Sequence, residues 1–187
     1  ETKKIKYKNK LPSNFIYNQH KFEKKYFFNN KVPNFNIKKF KDLNYKNSIN
    51  FIKKCKFDNI ICFGIGKLKQ NFLTRFKNKT ILNFHGGNPS YYRGLDSLLW
   101  TIYKNDFKKL YSCLHYVENR LDTGGIVLKK KIVLKKNTKL YELRALNTIN
   151  IVSIYKKFLK LKKVTSKKQN KIGDYYSAFP GEKIKKC

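Results

Sequence analysis

The chain has 187 residues, 41% of them hydrophobic and 16% aromatic, enough for one domain with its own core and too apolar for a disordered tail. Forty-four basic residues against eleven acidic ones give a formal charge of +33, which draws anionic molecules to the surface. No apolar run nears the roughly 20 residues of a membrane span, and "ETKKIKYKNK" lacks the apolar centre of a secretory signal, so a cytoplasmic protein is expected.

Residues 1 to about 45 carry apolar side chains without clean periodicity and are left unassigned. "NSINFIKKCKF", 47–57, spaces Ile49, Ile52 and Phe57 among lysines as a short helix does. "DNIICFGIG", 58–66, is a near-continuous β-branched and aromatic run ending in glycines, the pattern of a buried parallel strand. A short helix or turn, "KLKQNFLTRF", leads to a second strand, "TILNFH", at 80–85. After an HGG loop, Leu95, Leu98, Leu99, Ile102 and Tyr103 form the stripe of an amphipathic helix. Strands follow at "LYSCLHYV", 110–117, and at "GGIVLKKKIVL". A long helix runs from an Asn137 cap to about Leu161, with the stripe Leu140, Leu143, Leu146, Ile149, Val152 and Phe158. The tail "TSKKQNKIGDYYSAFPGEKIKKC" reads as loop with an aromatic patch. Alternating strands and helices from 47 to 160 predict a single α/β domain over residues 1–187, a layered sheet flanked by helices.

Side chains alternate faces along a strand, so Asn83 and His85 point the same way, about 7 Å apart. The carboxyl end of a parallel strand opens onto the crevice where α/β sheets bind ligands. Asparagine and histidine there are two donors able to hold a developing oxyanion, each worth about 3 kcal/mol of transition-state stabilisation. A carboxylate would orient the imidazole, and Asp122, in "ENRLDTGGIV", stands in a loop of the required kind among few acids. Taken singly these signals are weak: Asn83 also suits a turn, and "LDTGG" is a common turn. His115 reads as a hydrogen-bonded structural residue, and "GIGK" lacks the spacing of a phosphate loop. Cys55, Cys62, Cys113 and Cys187 form no CxxC pair, so neither zinc nor disulfides are expected.

In this order and spacing, Asn83-Phe84-His85, the loop through Pro89 to Arg93-Gly94, the helix from Leu95 and Leu121-Asp122-Thr123-Gly124 resemble the formyltransferases that use 10-formyltetrahydrofolate. The strongest match runs from about Asp58 to Leu161. The resemblance implies a Rossmann-like, mostly parallel sheet flanked by helices. With no methionine and Glu1 at the start, it also leads us to expect that the fold's N-terminal strand and helix are missing. It implies that Asn83 and His85 stabilise the oxyanion while Asp122 holds His85 and assists proton removal, with no metal. The donor, 10-formyltetrahydrofolate, is expected against Phe63, Gly64, Ile65, Gly66, Leu68, Val117 and Leu121, and the acceptor against Tyr92 and Arg93.

The loop His85-Gly86-Gly87-Asn88-Pro89 departs from the family's commoner serine-containing form and looks closer to sugar N-formyltransferases. A nucleotide-linked amino sugar is therefore the expected acceptor, with initiator methionyl-tRNA the alternative and a homodimer a further expectation. Glycinamide ribonucleotide suits the length but not this loop. A non-enzymatic basic module that binds nucleic acid is the reading from another class, with Tyr91, Tyr92 and Trp100 as stacking candidates. Only Arg75, Arg93, Arg120 and Arg144 among the basic residues are arginine, whereas nucleic-acid recognition favours arginine's fork. Lys, Asn, Ile, Phe and Tyr share AT-rich codons, so base composition accounts for much of the charge.

Overall fold

The computed structural model describes residues 11–27 and 37–187. Much of the unassigned N-terminal region, residues 1–10 and 28–36, lies outside them. The elements in chain order are α1 (Ser13–Phe27), α2 (Lys46–Lys54), β1 (Asn59–Phe63), α3 (Gln70–Arg75), β2 (Thr80–His85) and β3 (Tyr92–Gly94). They continue with α4 (Ser97–Tyr103), β4 (Tyr111–Tyr116), β5 (Ile126–Lys131), α5 (Leu143–Phe158) and β6 (Asp174–Tyr176).

The main sheet has the order β1-β2-β4-β5, and helices pack on both faces. The α/β expectation holds, but the sheet is mixed where a mostly parallel one was expected. β1 and β2 are parallel, while β2–β4 and β4–β5 are antiparallel. Between β2 and β4 the chain lays down no single crossover helix. It turns at the HGG loop, forms β3, which pairs with β6 in a second sheet, and passes through α4 back to the same end of the main sheet. β4 thus starts where β2 ends, with Cys113 opposite His85.

On one face Ile60, Cys62 and Ile81 pack under α2 and α3 with Ile49, Phe72 and Phe76. On the other, α5 covers Leu82, Phe84 and Leu114 with Ile151, Ile154 and Phe158. A third cluster joins α1, α4 and the start of α5 through Phe15, Leu98, Leu99, Ile102 and Leu143. Leu95, expected on the α4 stripe, precedes the helix and is exposed.

Two burial expectations are corrected. β1 is not a buried strand: Cys62 is its one buried residue, and Ile61 and Phe63 stay exposed at 36% and 57%. They lie on the α5 side of the sheet, opposite Leu82 and Phe84, but β1 is an edge strand beyond the reach of α5. In α5, Ile149 and Val152 face solvent, and the buried stripe is Leu143, Asn147, Asn150, Ile154 and Phe158. Apolar counting misses it because two of its members are asparagines. Both are tethered, Asn147 to the Ser112 hydroxyl at 2.7 Å and Asn150 to the Lys131 carbonyl at 3.1 Å. The α-helix also begins at Leu143, after a 3-10 turn over 140–142, and not at an Asn137 cap.

The tail, read as loop, supplies β6, which pairs in parallel with β3, and a 3-10 turn at Gly181–Lys186. Trp100 packs against Tyr176 and Phe179 and donates to the Ser177 carbonyl at 2.9 Å. Among the described residues no helix is long and apolar enough to cross a membrane.

Candidate active site

β2 ends with Asn83 and His85 on one face, as alternation requires. The antiparallel register sets His115 of β4 directly opposite Asn83, and their side chains meet at 3.4 Å, Asn83 Nδ2 to His115 Nε2. Asp122 completes the group. Its Oδ1 lies 3.4 Å from His115 Nε2 and its Oδ2 3.8 Å from His85 Nδ1. The Gly94 amide donates to Oδ2 at 2.8 Å. Sequence reading took His115 for a structural residue; the geometry makes it the nearer of the two imidazoles to Asp122. The missing signal is strand register, which no local motif encodes.

Partners fix the tautomers. The Tyr92 carbonyl lies 3.0 Å from His85 Nε2 and can only accept, so Nε2 carries the proton and Nδ1 faces Asp122. His115 donates from Nδ1 to the Tyr116 carbonyl at 2.8 Å, and its Nε2 stands between a donor, the Asn83 amide, and an acceptor, the Asp122 carboxylate, to which it hydrogen-bonds when protonated. Burial pushes the His85 pKa down, against the pull of the Asp122 carboxylate, so a neutral imidazole waits beside an anion. At Asp122 burial raises the pKa. The His115 hydrogen bond, the neighbouring His85 and the Gly94 amide overturn that and bring it to about 2. Cys113, across from His85, is no competing nucleophile, because burial holds its thiol at about 12.

The glycines make room for these side chains. A Cβ on Gly87 would stand 2.8 Å from His85 Nε2 and 2.7 Å from Ser97 Cβ, so only glycine lets the HGG turn close over the ring. A Cβ on Gly124 would sit 2.0 Å from the Tyr116 carbonyl oxygen, which keeps the loop after Asp122 against β4. Asp122 itself adopts a left-handed φ of 56°, a conformation aspartate tolerates better than most residues. Its backbone is anchored from the tail: Gln169 Nε2 donates to the Asp122 and Gly124 carbonyls at 3.0 and 2.8 Å.

The four side chains stand at the wall of a cleft of about 690 Å³, within the usual range for small-molecule sites. All seven residues expected at the donor wall line it: Phe63, Gly64, Ile65, Gly66, Leu68, Val117 and Leu121. Tyr92 and Arg93 do not. The Tyr92 hydroxyl donates to Asp106 at 3.1 Å, and Arg93 is buried with Nε on the Gly173 carbonyl at 2.6 Å and Nη1 on the Leu121 carbonyl at 3.0 Å. Both serve as scaffold, Tyr92 through its carbonyl and Arg93 by tying the loop before Asp122 to the tail. Tyr175, Gln19 and Asn147 also line the cleft and had no sequence signal. Among the described residues no group of three His, Cys, Asp or Glu side chains is disposed to hold a metal.

Comparison with known proteins adds the lineage. Over 96 residues the chain is 32% identical to methionyl-tRNA formyltransferase of Rickettsia prowazekii (strain Madrid E), which covers 51% of this chain and 31% of that protein. The chain thus spans about a third of the length of the curated relatives it matches. The formyltransferase PseJ from Anoxybacillus kamchatkensis, solved with UDP-4,6-dideoxy-4-formamido-L-AltNAc and tetrahydrofolate, superposes with a TM-score of 0.60 at 23% identity. The match covers 89% of this chain and 82% of that one. Methionyl-tRNA formyltransferase from Clostridium thermocellum gives 0.54 at 21% identity, covering 92% and 71%. Both likenesses are likenesses of fold. The formyl transferase family model matches residues 15–171, most of the chain, and to that family the chain belongs.

Proposed function

We propose that this chain carries the catalytic site of a formyltransferase that moves a formyl group from 10-formyltetrahydrofolate to a primary amine, that of a nucleotide-linked amino sugar. One observation carries the reading: Asn83, His85, His115 and Asp122 converge on the wall of a cleft of about 690 Å³. The donor wall suits a flat heteroaromatic ring. Phe63, Ile65, Val117 and Leu121 are apolar, and a Cβ added at Gly64 or Gly66 would meet nothing within 4 Å, so the backbone there is open to a ligand.

Bound donor supplies an electrophilic formyl carbon. Asn83 offers an amide hydrogen to the negative charge that develops on the formyl oxygen. The acceptor amine forms the new C–N bond as the donor's C–N bond breaks. The proton lost by the amine goes to His85 Nδ1, the lone pair facing Asp122, directly or through one water. The resulting imidazolium faces an ionised carboxylate that His115 and the Gly94 amide hold in place, and it then returns the proton to the leaving nitrogen.

The HGG loop supports a sugar acceptor. The Rickettsia relative, whose name is methionyl-tRNA formyltransferase, supports the alternative of methionyl-tRNA, as does the charge of +33. The test is calorimetric titration with 5-formyltetrahydrofolate, a stable donor mimic, together with turnover of His85→Ala. Binding that survives high salt and a turnover loss on the order of 100-fold are expected. A folded His85→Ala protein with near-normal formyl transfer would sink the assignment. Binding of nucleic acid that collapses with salt, without folate binding, would favour the basic-module reading.

A further inference from the structure

Two side chains in the cleft have no task in the mechanism above. Gln19, on α1, is 8% exposed, and Asn147, on α5, is 7% exposed. Both line the cleft. Gln19 has no hydrogen-bond partner among the described residues. Asn147 has its oxygen fixed by the Ser112 hydroxyl at 2.7 Å and its amide nitrogen free. No polar side-chain atom among the described residues is both enclosed and unpaired, so the free ends of both carboxamides open onto the cleft. The Asn147 amide stands beside the reacting group, since a Cβ on Gly86, next to His85, would lie 3.0 Å from its Nδ2.

The helix geometry that places them is regular. Phe15, Gln19 and Glu23 recur every four residues on one face of α1, and α5 answers with Leu143, Arg144 and Asn147. The ends of this wing differ in kind. Phe15 and Leu143 are apolar and packed together. Arg144 is neutralised by Glu23, its Nε and Nη2 each 2.5 Å from a carboxylate oxygen. Among the described residues that line it, the wing therefore combines an apolar wall, two carboxamides with free ends and one compensated arginine.

Building on the formyl-transfer reading, the geometry points to this wing, between α1 and α5, as the acceptor subsite: Gln19 and Asn147 hydrogen-bond the hydroxyl or amide substituents of a sugar ring whose amine is presented to His85. A pyranose ring has an apolar face for Phe15 and peripheral donors and acceptors for two carboxamides. Among the described residues lining the wing, a phosphate would meet no cation but Arg144, which Glu23 compensates. A methionyl side chain leaves both carboxamides desolvated and unpaired, a cost sites avoid.

The test uses Gln19→Leu, Asn147→Leu and Ser112→Ala, the last freeing the Asn147 oxygen without touching the cleft-facing amide. Each is assayed with a UDP-linked 4-amino-4,6-dideoxyhexose as acceptor and with 5-formyltetrahydrofolate in calorimetry. Each leucine variant is expected to raise the acceptor KM about tenfold, with kcat within about threefold and donor binding unchanged. Ser112→Ala is expected to raise it less. Leucine variants with wild-type KM overturn the subsite while leaving formyl transfer in place. So does a wild-type protein that binds the donor mimic and formylates methionyl-tRNA but not the sugar. A wild-type protein that fails to bind the donor mimic overturns formyl transfer itself and this subsite with it.

Discussion

His85 and Asp122 share one buried corner with opposite protonation habits: burial keeps His85 neutral, while the His115 hydrogen bond, His85 and the Gly94 amide outweigh burial and keep Asp122 ionised. The consequence for stability has a definite sign. His85 has a folded pKa below its ordinary value near 6.5, so below about pH 6.5 the unfolded chain binds the extra proton first and stability falls on acidification. Asp122, held at about 2, adds on the order of 2 kcal/mol that is present above about pH 4 and lost between there and pH 2. Urea midpoints measured from pH 7.5 down to 3 should drop in both windows, and His85→Gln should flatten the upper one. An unchanged upper slope in that variant would contradict a neutral His85. Of this corner, Asn83, His85 and Asp122 were legible because each sits in a short motif with a fixed offset. His115 was not, since its partner is set by strand pairing. Arg93 and Tyr92 misled because a conspicuous loop residue looks the same whether it faces substrate or backbone.

Elements with strong local patterning appeared where the sequence places them: β2 over Thr80–His85, β4 over Tyr111–Tyr116, and α4 with Leu98, Leu99 and Ile102 inward. Those whose burial depends on a distant partner did not. β6 has three residues and no alternation; it exists because β3 offers a ladder. Gly173, just before it, packs against the Tyr91 backbone so closely that a Cβ would fall 2.3 Å from the Tyr91 carbonyl carbon. Arg93 joins these pieces, holding the Gly173 and Leu121 carbonyls with two nitrogens of one planar group. Lysine has one nitrogen and cannot reproduce that fork. Arg93→Lys should cost about 2 kcal/mol, a drop in Tm of about 6 °C, and turnover should fall as well because Leu121 precedes Asp122. A variant with wild-type Tm would show that the tail does not depend on this bridge.

Across the whole molecule, charge and sheet edge pull against each other. Among the described residues β1 ends the sheet with an apolar run, Asn59-Ile60-Ile61-Cys62-Phe63, and the strand carries no lysine or proline of the kind that usually protects a free edge. The charge of +33 keeps copies apart instead. Salt screens that repulsion over a length that shrinks from about 30 Å at 0.01 M to about 3 Å at 1 M. Sedimentation velocity should therefore find self-association at high salt that is absent at low salt and suppressed by Ile61→Lys. Association insensitive to both would place the sticky surface elsewhere. The α/β class was legible from alternation, while the strand directions were not, because they depend on the end of the sheet to which the chain between β2 and β4 returns, which no local pattern encodes. The docked tail has a further consequence, in time. Gln169 reaches Asp122 across 47 positions, Arg93 reaches Gly173 across 80 and Asp96 reaches Phe179 across 83. Such long loops close late, after locally connected strands and helices have formed. On the ribosome, the sheet can fold before residues 169–179 emerge, and the corner that holds Asp122 takes shape only once they do.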